Sequence, residues 1–163
     1  MKSKIKNMDV HYSSNTNEWA TPAIVFDYLN GHYKFTLDPC CTKETAKCKT
    51  YYTQEQDGLE QDWGKHVVFM NPPYGRKIGN WIKKAYEASL LGALVVCLIP
   101  ARTDTKYWHN FCMKGGISFV KGRIKFINGD TNNKPAPFPS AVVVFNPYGI
   151  NESNVDAIDF YGK

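Results

Sequence analysis

Four consecutive residues combine an amide, two prolines and an aromatic ring, in the order Asn71-Pro72-Pro73-Tyr74. They follow the apolar run 67–70, which predicts a buried strand that ends at a rigid loop. The Asn71 carboxamide oxygen and the Pro72 carbonyl are two hydrogen-bond acceptors that the prolines hold in fixed directions. Two such acceptors can bind the hydrogens of a planar amino group and stabilise the positive charge that develops when its nitrogen attacks an electrophile.

The ring of Tyr74 offers a face on which a planar base can stack, which is worth about 1–3 kcal/mol per base. The exocyclic amine of adenine suits both features, because it is a planar NH2 group on a flat ring and a poor nucleophile. The motif therefore predicts methyl transfer to such an amine. No strong base is present in it, so we expect the proton to leave after transfer, to water.

The alternative for this motif is a proline turn that only ends a strand. A second site provides a comparison, since Asn146-Pro147-Tyr148 also follows an apolar run. It lacks the second proline, and there we predict a plain turn.

The composition indicates one compact domain, because 163 residues with 43% hydrophobic side chains are ordinary for a globular protein of this size. We expect neither a signal peptide nor a transmembrane segment. Five cysteines, an odd number, favour reduced thiols in the cytoplasm over a disulfide framework. Their spacing matches no zinc motif, so no metal is predicted. The net charge of +5 is compatible with a polyanionic partner and also with none.

The chain is predicted to comprise a disordered basic arm (1–17), one catalytic domain (18–150) and a C-terminal tail (151–163). A helix is predicted to begin at Thr21-Pro22, with Thr21 as the N-cap, and to end at Asn30-Gly31, and two others are predicted from residue 78 and after Asp104. Strand patterns occur at 33–37, 49–53, 67–70, 94–99, 117–120, 123–127 and 141–145. This order predicts an α/β fold with a mostly parallel central sheet, an antiparallel hairpin at one edge and helices on both faces. Ligands would then bind at the carboxyl ends of the strands.

Two of the aspartates that precede the Asn71 motif are candidates for contacts with a ligand. Asp38, followed by Pro39, closes a predicted strand and can accept hydrogen bonds from ribose hydroxyls or pair with an ammonium group. Asp57 begins the sequence Asp57-Gly58-Leu59 and can accept from an adenine amine. Each of these aspartates is also typical of a turn that binds no ligand.

The chain resembles the phage and prophage Dam-type DNA N6-adenine methyltransferases over nearly its whole length after residue 17. The likeness rests on the blocks 19–22, 35–41, 46–48, 51–53, 57–59, 62–63, 71–75, 100–105, 121–123 and 136–140. The resemblance implies a Rossmann-like methyltransferase fold that uses S-adenosylmethionine as methyl donor. It implies site-specific methylation of adenine N6 in double-stranded DNA, in the cytoplasm of a bacterial host.

By the same resemblance, Asn71, Pro72, Pro73 and Tyr74 would hold the target base. The S-adenosylmethionine site would be lined by Thr21, Pro22, Asp38, Pro39, Asp57 and Asn71. Many methyltransferases that use this cofactor carry a Gly-x-Gly turn after the first acidic residue, whereas this chain has Thr42–Thr45. We also expect no separate target-recognition domain, so loops would have to read the DNA.

A base inside a duplex must be flipped out to reach such a site. Candidates for phosphate contacts are Arg76, Lys77, Arg102, Lys121 and Arg123, each of which also fits a solvated surface charge. The polar, proline-containing segment 128–139 is predicted to contact DNA or close over the site, or else to be a disordered surface loop.

Two other functions remain open from the sequence. A glutamine side chain in a protein, or a base amine in RNA, also presents a planar NH2 group to the same motif. A catalytically inactive remnant that still binds DNA is the second alternative. The DNA recognition sequence, the oligomeric state and the existence of a partner nuclease do not follow from these residues.

Overall fold

The computed structural model describes residues 19–127, 134–149 and 154–162, so the predicted arm 1–17 lies outside the described residues. The strands are β1 (Leu37–Asp38), β2 (Thr50–Tyr51), β3 (Val67–Met70), β4 (Leu94–Pro100), β5 (Gly116–Val120), β6 (Ser140–Phe145) and β7 (Val155–Ile158). The helices are α1 (Ala23–Tyr33), α2 (Ile78–Leu90) and α3 (Lys106–Asn110), with short 3-10 turns at Gln54–Gln56 and Cys112–Lys114. Within the described ranges the strands form one sheet in the order β2-β1-β3-β4-β6-β5-β7.

The sheet is mostly parallel, as predicted. β1 pairs in parallel with β2 and β3, β3 with β4, and β5 with β7, whereas β6 runs antiparallel to both β4 and β5. The carboxyl ends of β1, β3, β4 and β5 therefore lie together with the amino end of β6, where Ser140 is the Cα partner of Pro100. This side of the sheet is called the carboxyl edge below.

Helices cover both faces of the sheet. The ring of Phe69 in β3 lies 5.1 Å from Phe26 of α1. The preceding residue, Val68, points to the other face, and the register through β4 places Phe145 on that same face. There the ring of Tyr86 in α2 lies 5.8 Å from Phe145. The register and the two ring contacts thus confirm the predicted arrangement.

The start and end of α1 differ from the prediction. The N-cap is Pro22 rather than Thr21, and the helix continues past Gly31 to Tyr33. It ends because Lys34 adopts a left-handed conformation (φ 58°), and the Asn30 side chain accepts a hydrogen bond from the Phe35 backbone N–H at 2.9 Å. The predicted strand 33–37 is consequently reduced to Leu37–Asp38.

Three other segments also differ. Thr105, not Asp104, precedes α3. Residues 123–127 contain no strand, and only Ile127 forms an isolated antiparallel bridge, with Ala20. The predicted tail contains β7, and Phe160 beyond it is only 5% exposed, so this segment belongs to the sheet and core of the domain. No helix in the described parts of the chain is long and apolar enough to cross a membrane.

Candidate active site

The predicted site residues converge where the strand order reverses. From β1 the chain moves outward to β2, and from β3 it moves the other way to β4. The crevice between the carboxyl ends of β1 and β3 is therefore the topological switch point, where open α/β sheets bind ligands. Asp38 ends β1 and Asn71 directly follows β3, so the two segments that the sequence singled out face each other there.

The Asn71 side chain is fixed by residues about fifty positions earlier in the chain. Its Nδ2 donates to the Trp19 carbonyl at 2.5 Å and to Thr21 Oγ1 at 2.9 Å. A backbone carbonyl can only accept a hydrogen bond, so the nitrogen must face Trp19 and the orientation of the amide follows from the network. Thr21, which is 3% exposed, thus contacts the asparagine instead of capping α1.

The opposite atom of the same amide, Asn71 Oδ1, is buried and accepts no hydrogen bond from the described residues. A buried acceptor without a partner costs about 1–3 kcal/mol. Such atoms are uncommon in proteins and call for an explanation, such as a ligand that supplies the donor. The rest of the motif is rigidly held, with Pro72 buried and Pro73 half-buried.

Tyr74 is buried in this structure, at 7% exposure. Its hydroxyl donates to the Leu98 carbonyl in β4 at 3.2 Å, and burial raises its pKa well above the ordinary value. Its ring makes edge contacts with Phe126 and Phe138, at centroid distances of 6.1 and 5.4 Å. The stacking face predicted for Tyr74 is therefore covered in this conformation.

An aromatic cluster of Trp19, Tyr74, Phe126 and Phe138 surrounds the motif. Trp19 lies 5.3 Å from Phe138 and 5.7 Å from Phe126, both edge to face. Sequence reasoning missed this cluster, since its members come from four distant segments with no shared periodicity. Only their aromatic character was visible in the sequence.

Asp38 is 3% exposed and organises the loop that follows β1. Its Oδ2 accepts a hydrogen bond from the Lys47 backbone N–H at 3.0 Å. Burial raises the pKa of this carboxyl group, while hydrogen bonds from the backbone N–H groups of Lys47 and Cys40 oppose that shift. The carboxylate thus bonds to its own loop, as the turn interpretation expected, and it holds that loop beside Asn71.

The loop at Asp57 packs against the Asp38 loop. Asp57 has a left-handed backbone (φ 49°), and its Oδ1 accepts from the Leu59 N–H at 3.1 Å. A Cβ on Gly58 would lie 1.9 Å from the Pro39 carbonyl oxygen, and the Trp63 indole donates to the Gly58 carbonyl at 2.9 Å. Gly58 therefore makes a close backbone approach in a chain that lacks the Gly-x-Gly turn.

A cleft of about 340 Å³ opens beside these loops. It is lined by residues 41–44 and 53–55, which follow β1 and β2. Its lining residues include Thr42, Thr53, Glu44 and Glu55. The size is within the range of small-molecule sites, about 300–1,000 Å³.

Basic side chains lie along the other half of the carboxyl edge. Arg76 and Lys77 follow the Asn71 motif, Arg102 follows β4, and Arg123 follows β5; all four are exposed. Lys121, also after β5, forms an ion pair with Asp159 at 3.4 Å. The topology thus places all the predicted phosphate contacts on the same edge as Asn71.

The family model described as DNA N-6-adenine-methyltransferase (Dam) matches residues 10–156. The chain belongs to this family. The methyltransferase is 33% identical over 145 residues to the DNA N-6-adenine-methyltransferase of Haemophilus phage HP1, an alignment that covers 82% of this chain and 81% of the phage protein. It is 29% identical over 156 residues to that of Escherichia phage T1, covering 84% of this chain and 65% of the T1 protein.

The family match includes every residue of the site described above. Adenine N6 methylation of DNA, the activity for which the family is named, is thus the function that the comparisons support. Within residues 19–127, 134–149 and 154–162, no three His, Cys, Asp or Glu side chains converge in a way that could hold a metal ion.

Proposed function

We propose that this methyltransferase transfers a methyl group from S-adenosylmethionine to the N6 amine of an adenine that has been flipped out of double-stranded DNA. The observation that carries this proposal is Asn71 Oδ1, a buried acceptor at the switch point without a partner among the described residues. A planar amino group supplies the missing donor, and its methylation is the chemistry after which the family is named.

Asn71 and Pro72 act on the amine. Oδ1 of Asn71 accepts from one N–H and the Pro72 carbonyl from the other, which stabilises positive charge on the nitrogen as it forms a bond to carbon. Because the Asn71 Nδ2 already has two acceptors, the amide does not need to reorient when the base arrives. The proton leaves to water after transfer.

S-adenosylmethionine would supply the electrophilic methyl group, whose bond to sulfur would break as the bond to N6 forms, with S-adenosylhomocysteine as the leaving group. The loops that follow β1 and β2 fit such a molecule in size and chemistry. They line a cleft of about 340 Å³ whose residues include Thr42, Glu44 and Thr53, which can bind hydroxyl and ammonium groups. The Asp38 carboxylate accepts from the Lys47 N–H and keeps the loop 39–47 in place, and Gly58 of the Asp57 loop packs against Pro39. We propose Pro22, Asp38, Pro39, Asp57 and Asn71 as the lining of the cofactor site, whereas the Thr21 hydroxyl bonds to the Asn71 side chain.

In this proposal, DNA binds along the part of the carboxyl edge where basic side chains follow β3, β4 and β5. Arg76, Lys77, Arg102 and Arg123 are exposed there and can contact phosphates on either side of a flipped base. Lys121 can join them by exchanging its contact with Asp159 for a phosphate. The base would displace part of the aromatic cluster to expose the face of Tyr74. The phage origin of the relatives supports action in the bacterial cytoplasm.

The test is incubation of the purified protein with methyl-labelled S-adenosylmethionine and unmethylated double-stranded DNA, followed by digestion to nucleosides. Label is expected in N6-methyladenine, and the Asn71→Ala variant is the matched negative control. Label in RNA, in a protein amide or in cytosine would show that this group, and not adenine in DNA, is the methyl acceptor. A folded protein that binds the cofactor and labels nothing would refute the proposal.

A further inference from the structure

We infer that Thr21, together with the Trp19 carbonyl, positions the Asn71 carboxamide so that its oxygen faces the reacting amine. The inference rests on the proposed role of Asn71 in methyl transfer. It gives Thr21 a task in the chemical step, whereas the resemblance implies a contact with the cofactor.

The first observation is that the nitrogen and the oxygen of the Asn71 side-chain amide have different hydrogen-bond partners. Nδ2 donates two hydrogen bonds, to Trp19 and Thr21, whereas Oδ1 has no partner among the described residues. A flip of the amide by 180° would place Oδ1 against the Trp19 carbonyl, and two acceptors would then face each other. The observed orientation, with Nδ2 toward Trp19 and Thr21, is thus the one in which both hydrogens on Nδ2 are bonded.

The second observation is that the segment carrying these acceptors is anchored independently of Asn71. The Ala20 N–H donates to the Ile127 carbonyl at 3.1 Å, and the Ile127 N–H donates to the Ala20 carbonyl at 3.0 Å. On the other side, the Pro22 carbonyl accepts from the first turn of α1, from Val25 and Phe26 at 3.1 Å each. Proline after Thr21 also restricts that residue to an extended backbone.

The third observation concerns side-chain volume. Thr21 is 3% exposed, so its methyl group and its hydroxyl are both enclosed. Valine has nearly the same shape without the acceptor, and serine keeps the acceptor without the methyl group. The pair of substitutions therefore separates the hydrogen bond from the packing.

The kinetic experiment compares Thr21→Val and Thr21→Ser with the wild type at saturating DNA and cofactor. Misorientation of a group at the reacting centre is expected to lower kcat of Thr21→Val at least about tenfold, with Thr21→Ser within about threefold of wild type. The Michaelis constant for the cofactor should stay within about twofold in both. Thr50→Val, a change of the same type at an exposed residue of β2, is the control.

A second experiment does not need turnover. The Asn71 side-chain NH2 signals of the 15N-labelled protein are identified by their loss in Asn71→Ala, and their exchange with deuterium is measured. Loss of one hydrogen bond should accelerate this exchange at least about tenfold in Thr21→Val and not in Thr21→Ser.

The outcomes separate this inference from the proposed function. A wild type that methylates no adenine refutes the proposed function, and the amide exchange still tests the hydrogen bond. The inference is wrong if Thr21→Val keeps its kcat at saturation and only binds cofactor more weakly, because Thr21 would then be a cofactor contact. It is equally wrong if amide exchange is the same in Thr21→Val and in wild type.

Discussion

Gly58 lies so close to Pro39 that a Cβ built on it would be 1.9 Å from the Pro39 carbonyl oxygen. This contact joins the loops that follow β1 and precede β3. The same Cβ would lie 3.1 Å from the Trp81 ring of α2, so there is no free direction in which it can move. These two loops, which belong to the proposed cofactor site, are therefore held together by a close backbone contact that only a glycine allows.

Gly58→Ala should separate these loops. The collision is with backbone, which moves less readily than a flexible side chain, so we expect a loss of about 1–3 kcal/mol in the free energy of unfolding. Affinity for S-adenosylmethionine should fall as well. Urea unfolding and calorimetric titration measure the two effects. Gly31→Ala is the control, because nothing lies within 4 Å of its Cβ position in α1, and alanine there should stabilise by about 0.5–1 kcal/mol.

Asn71→Ala should remove activity and leave the fold intact. Loss of one acceptor at the reacting nitrogen is expected to lower kcat by about 10²–10³. The substitution breaks two hydrogen bonds from Nδ2 and also removes a buried acceptor that has no partner among the described residues, so stability should change by only about 1 kcal/mol. Single-turnover kinetics and thermal unfolding measure these quantities. Activity within tenfold of wild type would contradict the role assigned to Asn71.

Substitutions of Tyr74 should separate packing from base stacking. Tyr74→Phe loses the hydrogen bond to Leu98 and should cost about 0.5–1.5 kcal/mol while kcat stays within a few fold. Tyr74→Ala leaves a cavity beneath Phe126 and Phe138 and should cost about 3–5 kcal/mol. Urea unfolding measures the stability of both variants. Their DNA affinities are then compared at a temperature where both are folded. Equal DNA affinity in the alanine and phenylalanine variants would exclude a stacking role.

The salt dependence of DNA binding should identify the phosphate contacts. Arg102→Ala and Arg123→Ala should each weaken binding to all sequences and reduce the slope of log K against log salt by about 0.9. Lys65→Ala removes the same charge from an exposed residue before β3, at the opposite edge of the sheet, and should leave the slope unchanged. Fluorescence anisotropy of labelled DNA at several salt concentrations measures this slope for each variant. Equal slopes in all three variants would place the DNA elsewhere.

Buried thiols should make the protein less stable in alkali. Burial raises the pKa of Cys112 from 9.0 to about 12. Above pH 9 the unfolded chain loses this proton while the folded chain keeps it, so the free energy of unfolding decreases as pH rises. The full effect of one thiol is about 1.4 kcal/mol per pH unit. Urea unfolding between pH 8 and 10.5 should show a shallower decrease in Cys112→Ala than in wild type, and identical slopes would contradict the shift.

Local signals predicted the centre of the domain well. The runs 67–70 and 94–99 are uninterrupted apolar segments, and the spacing after residue 78 is helical, so β3, β4 and α2 were confirmed nearly to the residue. These elements place Asn71 at the carboxyl edge, and for that reason the position of Asn71 in the fold also followed from the sequence.

The predictions that were wrong concern segments whose structure depends on contacts with residues far away in the sequence. Thr21-Pro22 has the pattern of a helix start, but the threonine hydroxyl bonds to Asn71, and that competing partner is invisible in the local sequence. Segment 123–127 has a strand pattern but only Ile127 finds a partner, at Ala20. The exposed β7, with three of its four residues on the surface, has no apolar pattern that would distinguish it from a tail.

The antiparallel direction of β6 has a consequence for how this small domain can acquire specificity. Because β5 ends and β6 begins on the same side of the sheet, the connection between residues 121 and 139 departs from the carboxyl edge and returns to it. Its length is not limited by the span of the sheet, so residues can be inserted or removed there without shifting the pairing of Pro100 with Ser140. This connection can therefore change in length toward new target sequences while β4 and β6 keep their pairing and Asn71 keeps its place after β3.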